Sequence, residues 1–170
     1  MRETTRRLSI ALALLAACGK PPTAETVTPD LAQAATEDDP VAIYDELEAL
    51  IEKGEGSDDD RQYALDRIRK IEDDGTAEYA FVRAAITGRV AELRGVKAGK
   101  LVTEAESWAQ KSIERDPEYR DRAAKRMLGT MWVLAPARLL ARGDSESGLE
   151  MLGELAQSQP DIAQNHLRVA

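Results

Sequence analysis

The chain has 170 residues, of which 43% are hydrophobic, 32% charged and only 4% aromatic, and its formal net charge is −8. That length suffices for one domain, and the acidic balance argues against nucleic acid or an anionic lipid surface as the main partner. The single cysteine excludes an intrachain disulfide and a multi-cysteine metal site. Abundant Ala, Leu and Glu, and the lack of a long alternating β-branched or aromatic run, predict an all-α fold.

The N-terminus reads as an address. Arg2, Arg6 and Arg7 precede an apolar run, Leu8–Ala17, in which Ser9 is the only polar residue. Ten residues are too few to span about 30 Å of hydrocarbon, but they fit the core of a secretory signal peptide. Leu15-Ala16-Ala17-Cys18 closes the run and resembles a bacterial lipobox. The resemblance implies that residues 1–17 are a lipoprotein signal peptide, cut before Cys18, and that Cys18 is the lipid attachment site. Several acyl chains would make the anchor nearly permanent, where one alone is marginal. Gly19, in place of an acidic residue, favours the outer membrane over the inner. The expected location is the bacterial cell envelope, facing the periplasm. Residues 18–39, rich in Pro, Thr, Ala and acid, hold too little apolar surface to offset their ordering entropy and are expected to form a flexible tether.

The expected helical domain covers residues 40–170. Asp39-Pro40 is a cap followed by a first-turn proline, and Val41, Tyr44, Leu47, Leu50 and Ile51 recur at helical spacing over about 40–53. Ser57 and its three following aspartates open a helix over about 58–73 with Tyr63, Ala64, Leu65, Ile68 and Ile71 on its apolar face. Thr76 caps a helix over 77–94 with Ala80, Phe81, Ala84, Ala85, Ile86, Ala91 and Leu93 inward. Its interior Gly88 costs about 1 kcal/mol against alanine and predicts close helix–helix contact. Further helices are expected over about 101–115, 119–134 (with interior Gly129), 144–158 and 161–170.

No catalytic constellation is visible: there is no phosphate loop, nucleophile elbow or supported Ser/His/Asp order. The acids at 58–60 lack the spacing of a calcium loop, and His166 stands alone, so neither a metal nor a cofactor is expected. Trp108 and Trp132 fall on apolar faces and read as packing. The segment Pro136–Arg142, PARLLAR, is the unusual loop. Exposed Leu139 and Leu140 beside Arg138 and Arg142 would grip an acidic partner; alternatively the loop folds back over the open end of a helix pair.

AESWAQKSIERDP, ending at Pro117, returns as GLEMLGELAQSQP, ending at Pro160, 43 residues on. Each unit follows another helix. Gly88, Gly95, Ala105, Ile113 and Pro117 in the first unit, and Gly129, Trp132, Gly143, Gly148 and Pro160 in the second, resemble the tetratricopeptide repeat, whose plain period is about 34. The excess fits insertions near Gly95–Lys100 and Pro136–Arg142. The resemblance implies antiparallel helix-pair repeats stacked as a right-handed α-solenoid, with the copy opening at His166–Ala170 incomplete. It also implies that the first helix of each pair lines a concave face. Arg89, Glu92, Arg126 and Thr130 are then the candidate partner or ligand groove.

A lipobox followed by such repeats, and the segment LGTMWVLAPARLLARGDSESGLEML in particular, resemble the lipoproteins associated with TRAP-type transporters. That family implies a membrane-anchored protein-interaction scaffold, bound to an envelope protein or transporter subunit, or else a periplasmic small-ligand-binding component of such a transporter. It allows a homo-oligomer.

Overall fold

A computed structural model describes residues 20–166. Cys18, the expected signal peptide over residues 1–17, and the chain after His166 lie outside the described residues. Within them the protein is all-helical: α1 Pro29–Ala34, α2 Pro40–Glu52, α3 Asp58–Ile68, α4 Ala77–Arg94, α5 Gly99–Arg115, α6 Tyr119–Leu134, α7 Ser145–Ser158 and α8 Ala163–His166.

The starts follow local chemistry. Asp39 accepts from the Val41 and Ala42 amides ahead of Pro40. Ser57 and Asp60 form a reciprocal capping box at α3. Thr76 accepts from Tyr79 N, and Asp144 from Ser147 N. α3 ends at Ile68, five residues short of the expected limit. The Tyr79 hydroxyl donates to the carbonyls of Ile68 and Ile71 instead, so a side chain from α4 takes over where the α3 ladder stops.

The expected tether is ordered in its second half. Val27, Leu31 and Ala35 are buried in the main core, with Leu31 at 0% exposure. Thr28 donates to Asp60 through both its amide and its hydroxyl, at 2.8 and 3.1 Å. A few apolar side chains in a polar segment thus dock it, because α2 and α3 supply the partner surface.

The helices pair as α2 with α3, α4 with α5 and α6 with α7, and the first members α2, α4 and α6 also touch in succession. α4 sits centrally, packed by α2, α3, α5 and α6. Burial therefore runs round it: Tyr79, Val82 and Val90, absent from the expected apolar stripe, are all inside, as is Ile43 of α2. At α6 and α7 the backbones approach closely, and a Cβ on Gly148 would meet Gly129 O at 2.8 Å. Ser112 of α5 donates to the Ala77 carbonyl, and Arg115 grips Asp73, so the α5 terminus is tied to the α3–α4 turn.

α6 opens unusually. Arg120, Asp121 and Arg122 have φ of 45°, 55° and 64°, three consecutive left-handed residues. Each costs about 1–2 kcal/mol for an L-residue with a Cβ. The right-handed helix occupies 123–134.

Candidate binding cleft

α2, α4 and α6 run in the same direction, and a cleft of about 920 Å³ opens along them. The direction follows from their contacts. Tyr44 packs edge-on to Phe81 (5.4 Å), Glu48 pairs with Arg89 four residues on, and Phe81 meets Tyr119 (5.8 Å). The floor is apolar, with Phe81, Ala85, Ala91, Met127 and Met131 among its residues. Three large hydrophobic side chains are strongly exposed among the described residues, and two of them, Val96 (64%) and Leu134 (76%), line this cleft.

Gly88 also lines it, and a Cβ there would meet nothing within 4 Å. The expected close helix contact at Gly88 is therefore not made; that role belongs to Gly129 with Gly148. The missing side chain deepens the cleft instead.

All four candidate groove residues, Arg89, Glu92, Arg126 and Thr130, line the cleft. Their engagements differ. Arg89 donates to both Glu48 oxygens at 2.7 and 2.5 Å, and to Glu92 at 3.2 Å. The Glu48 hydrogen bonds raise its already high pKa, so it is a permanent cation. Arg126 is buried and donates to Asp121 O and to Asn165 Oδ1. Asn165 in turn donates to the Leu155 and Gln159 carbonyls, so Arg126 holds α8 against α6 and α7. Thr130 donates back to Arg126 O within its own helix.

At the other end Arg120 donates to both Asp45 oxygens, at 2.9 and 3.1 Å, and lies over the Tyr44 ring. The left-handed turn sits at the base of this arm. Burial, then the nearby Glu48 carboxylate, pushes the Tyr44 hydroxyl up to about 12. It stays protonated at neutral pH.

The PARLLAR loop behaves differently from the exposed-leucine expectation. Leu139 and Leu140 are half-buried against Ala91, Ala98 and Val102, closing over the start of α5. Arg142 donates to Gln110, and Arg138 is exposed. The loop is pinned by Glu106, a buried carboxylate that accepts from Ala141 N and Trp132 Nε1, each at 2.8 Å. Trp132 packs as expected and carries this polar tie as well. Trp108 is partly buried between two core clusters, edge-on to Tyr79, with Lys111 over its ring.

Tyr44, Val96, Met131 and Leu134 were not singled out by the sequence as cleft residues. Val96 carried a signal, being a large apolar residue in a Gly-Val-Lys turn. Leu134 is the last residue of α6, where nothing in the local sequence separates an exposed leucine from a buried one. Among the described residues no group of three or more His, Cys, Asp or Glu is placed to hold a metal. No helix there is long and apolar enough to cross a membrane. No protein-family model and no curated protein matches the chain.

Proposed function

We propose that this is a lipid-anchored protein of the bacterial envelope whose tetratricopeptide-like helical domain binds and scaffolds a partner protein in the α2–α4–α6 cleft. The observation that carries the reading is the placement of Val96 and Leu134, exposed at its lips above an apolar floor. Exposed apolar side chains gathered at one concavity mark interaction sites, whereas single scattered ones do not. The contact of first helices in succession, α2 to α4 to α6, supports the repeat reading. The lipobox-like Leu15–Cys18 carries the anchor.

The test uses the full chain in its native envelope, with a photo-crosslinking residue at Val96 or Leu134. A discrete crosslinked protein, absent when the probe is moved to exposed Lys70 on the turn after α3, is the expected outcome. Crosslinks of equal yield from both places would remove the cleft from consideration. Cys18→Ala is expected to shift the protein out of the membrane fraction.

A second reading, a small-ligand component of a TRAP-type transporter, is favoured by the cleft volume alone, since ligand pockets run to about 300–1,000 Å³. It predicts a rise in melting temperature with a micromolar organic acid.

A further inference from the structure

We propose that, with the cleft as the binding site, its occupant is an amphipathic helix of a partner protein that places a Lys or Arg at the end between Val96 and Leu134. The inference rests on the functional reading above and adds the partner's chemistry.

The cleft has two electrostatically different ends. At the Tyr44 end, Arg120 is held on Asp45 by two hydrogen bonds, and midway Arg89 is held on Glu48 by two more. An anionic ligand would have to displace an internal carboxylate from either guanidinium. At the Val96 end the balance reverses. Glu52 is exposed and makes no ion pair among the described residues, and exposed Glu92 accepts one hydrogen bond from Arg89 at 3.2 Å and pairs more loosely with Arg61 at 3.5 Å. The C-termini of α2, α4 and α6 all point the same way, and each adds partial negative charge there. Arg94 is directed to Gln62, while Lys53 and Lys97 do not line the cleft. Among the described residues no lysine lines it at all.

Shape selects a helix. Phe81 to Glu92 spans about 16 Å, about three helical turns. The floor carries Ala85, Gly88 and Ala91 of α4 beside Met127 and Met131 of α6, and the two methionines can adapt to an incoming apolar face. A helix laid in a hydrophobic groove uses such a surface through anchors at helical spacing.

Two synthetic probes test it on the purified full chain: an 18-residue Leu/Lys peptide with leucines at helical spacing, and the same peptide with Glu in place of Lys. Calorimetry should show the Lys peptide binding about tenfold more tightly, which is what two exposed ion pairs made rather than opposed would give. Added salt should narrow the gap. Glu52→Lys combined with Glu92→Gln should erase it, and Gly88→Leu should abolish binding by filling the cleft. Should Gly88→Leu not fold, Val96→Ser with Leu134→Ser, both at exposed positions, serves instead. Equal affinity for both peptides, lost in Gly88→Leu, would overturn the charge assignment while leaving the cleft as a binding site. Lys-peptide binding untouched by Gly88→Leu and by the serine pair would overturn the cleft reading itself. Self-association lost in Gly88→Leu, or laurate binding with no peptide binding, would overturn the partner class in favour of a second copy or a small amphiphile.

Discussion

Gly88 inside α4 and Gly143 in the loop before α7 have opposite reasons to be there. A Cβ at Gly88 would enter empty cleft, while one at Gly143 would lie 2.0 Å from the Trp132 ring. The Trp132 ring cannot readily retreat, because its Nε1 is held by buried Glu106. Gly88→Ala should therefore stabilise the protein by about 0.5–1 kcal/mol through helix propensity alone, raising the midpoint of thermal unfolding by a few degrees. Gly143→Ala should destabilise it by about 1–3 kcal/mol through overpacking. Urea denaturation of the two variants side by side checks both signs. If Gly88→Ala were destabilising by more than about 1 kcal/mol, the open space at the cleft would be wrong.

At the scale of elements, α1 decides where the folded body begins. Its largest anchor is Leu31, flanked by buried Val27 and Ala35, and the segment is also tied by the two bonds from Thr28 to Asp60 and by Arg67 donating to the Ala35 carbonyl. Burial pushes the Asp60 carboxyl up, but hydrogen bonds from Ser57 and Thr28 outweigh it and hold the group below the usual aspartate range. Leu31→Ala should cost about 2–4 kcal/mol by the transfer and cavity terms and should open residues 20–39 to limited proteolysis at neutral pH. A plain tether would be cut equally in both proteins. The left-handed turn at Arg120–Arg122 is the other decision made at this scale. Strain of this kind persists only where surrounding contacts over-determine it, and here Arg120 on Asp45 and Arg122 on Glu118 do so from the two sides.

For the whole molecule, several inter-helix ties are carboxylates held ionised. Arg115 keeps Asp73 below its ordinary range. Burial pushes Glu104 up, but hydrogen bonds from Arg69 and Arg83 more than compensate, and its net direction is down. A depressed carboxyl binds its proton less readily folded than unfolded. Its contribution is thus fully present above the unfolded pKa of about 4 and is lost as pH falls through the lower folded value. Urea midpoints should be level between about pH 6 and 7 and fall below about pH 4, and Glu104→Gln should lessen that fall. An unchanged acid limb in Glu104→Gln would remove this tie from the explanation. Tyr44 acts at the opposite extreme: its raised pKa favours the folded state until pH rises above about 10 and its stabilisation is lost towards 12.

The all-α class, the caps at Asp39, Ser57 and Thr76, and seven of the eight helices among the described residues were legible in the sequence, because periodicity, capping residues and helix-stopping Gly and Pro act within a few positions of the residues they govern. Arg89, Glu92, Arg126 and Thr130 were expected in one groove on the resemblance to a helix-pair repeat, and all four line the α2–α4–α6 cleft. Only the tertiary structure decided what those residues do there. Arg89 has its carboxylate from α2, and Arg126 has Asn165 from α8. Packing likewise chose which apolar side chains face water. It took Leu139 and Leu140 onto the α4–α5 corner and left Val96 and Leu134 at the lips of the cleft. Hydrophobicity is a property each residue brings, but exposure depends on which distant surfaces reach it, and that information is spread across the whole chain.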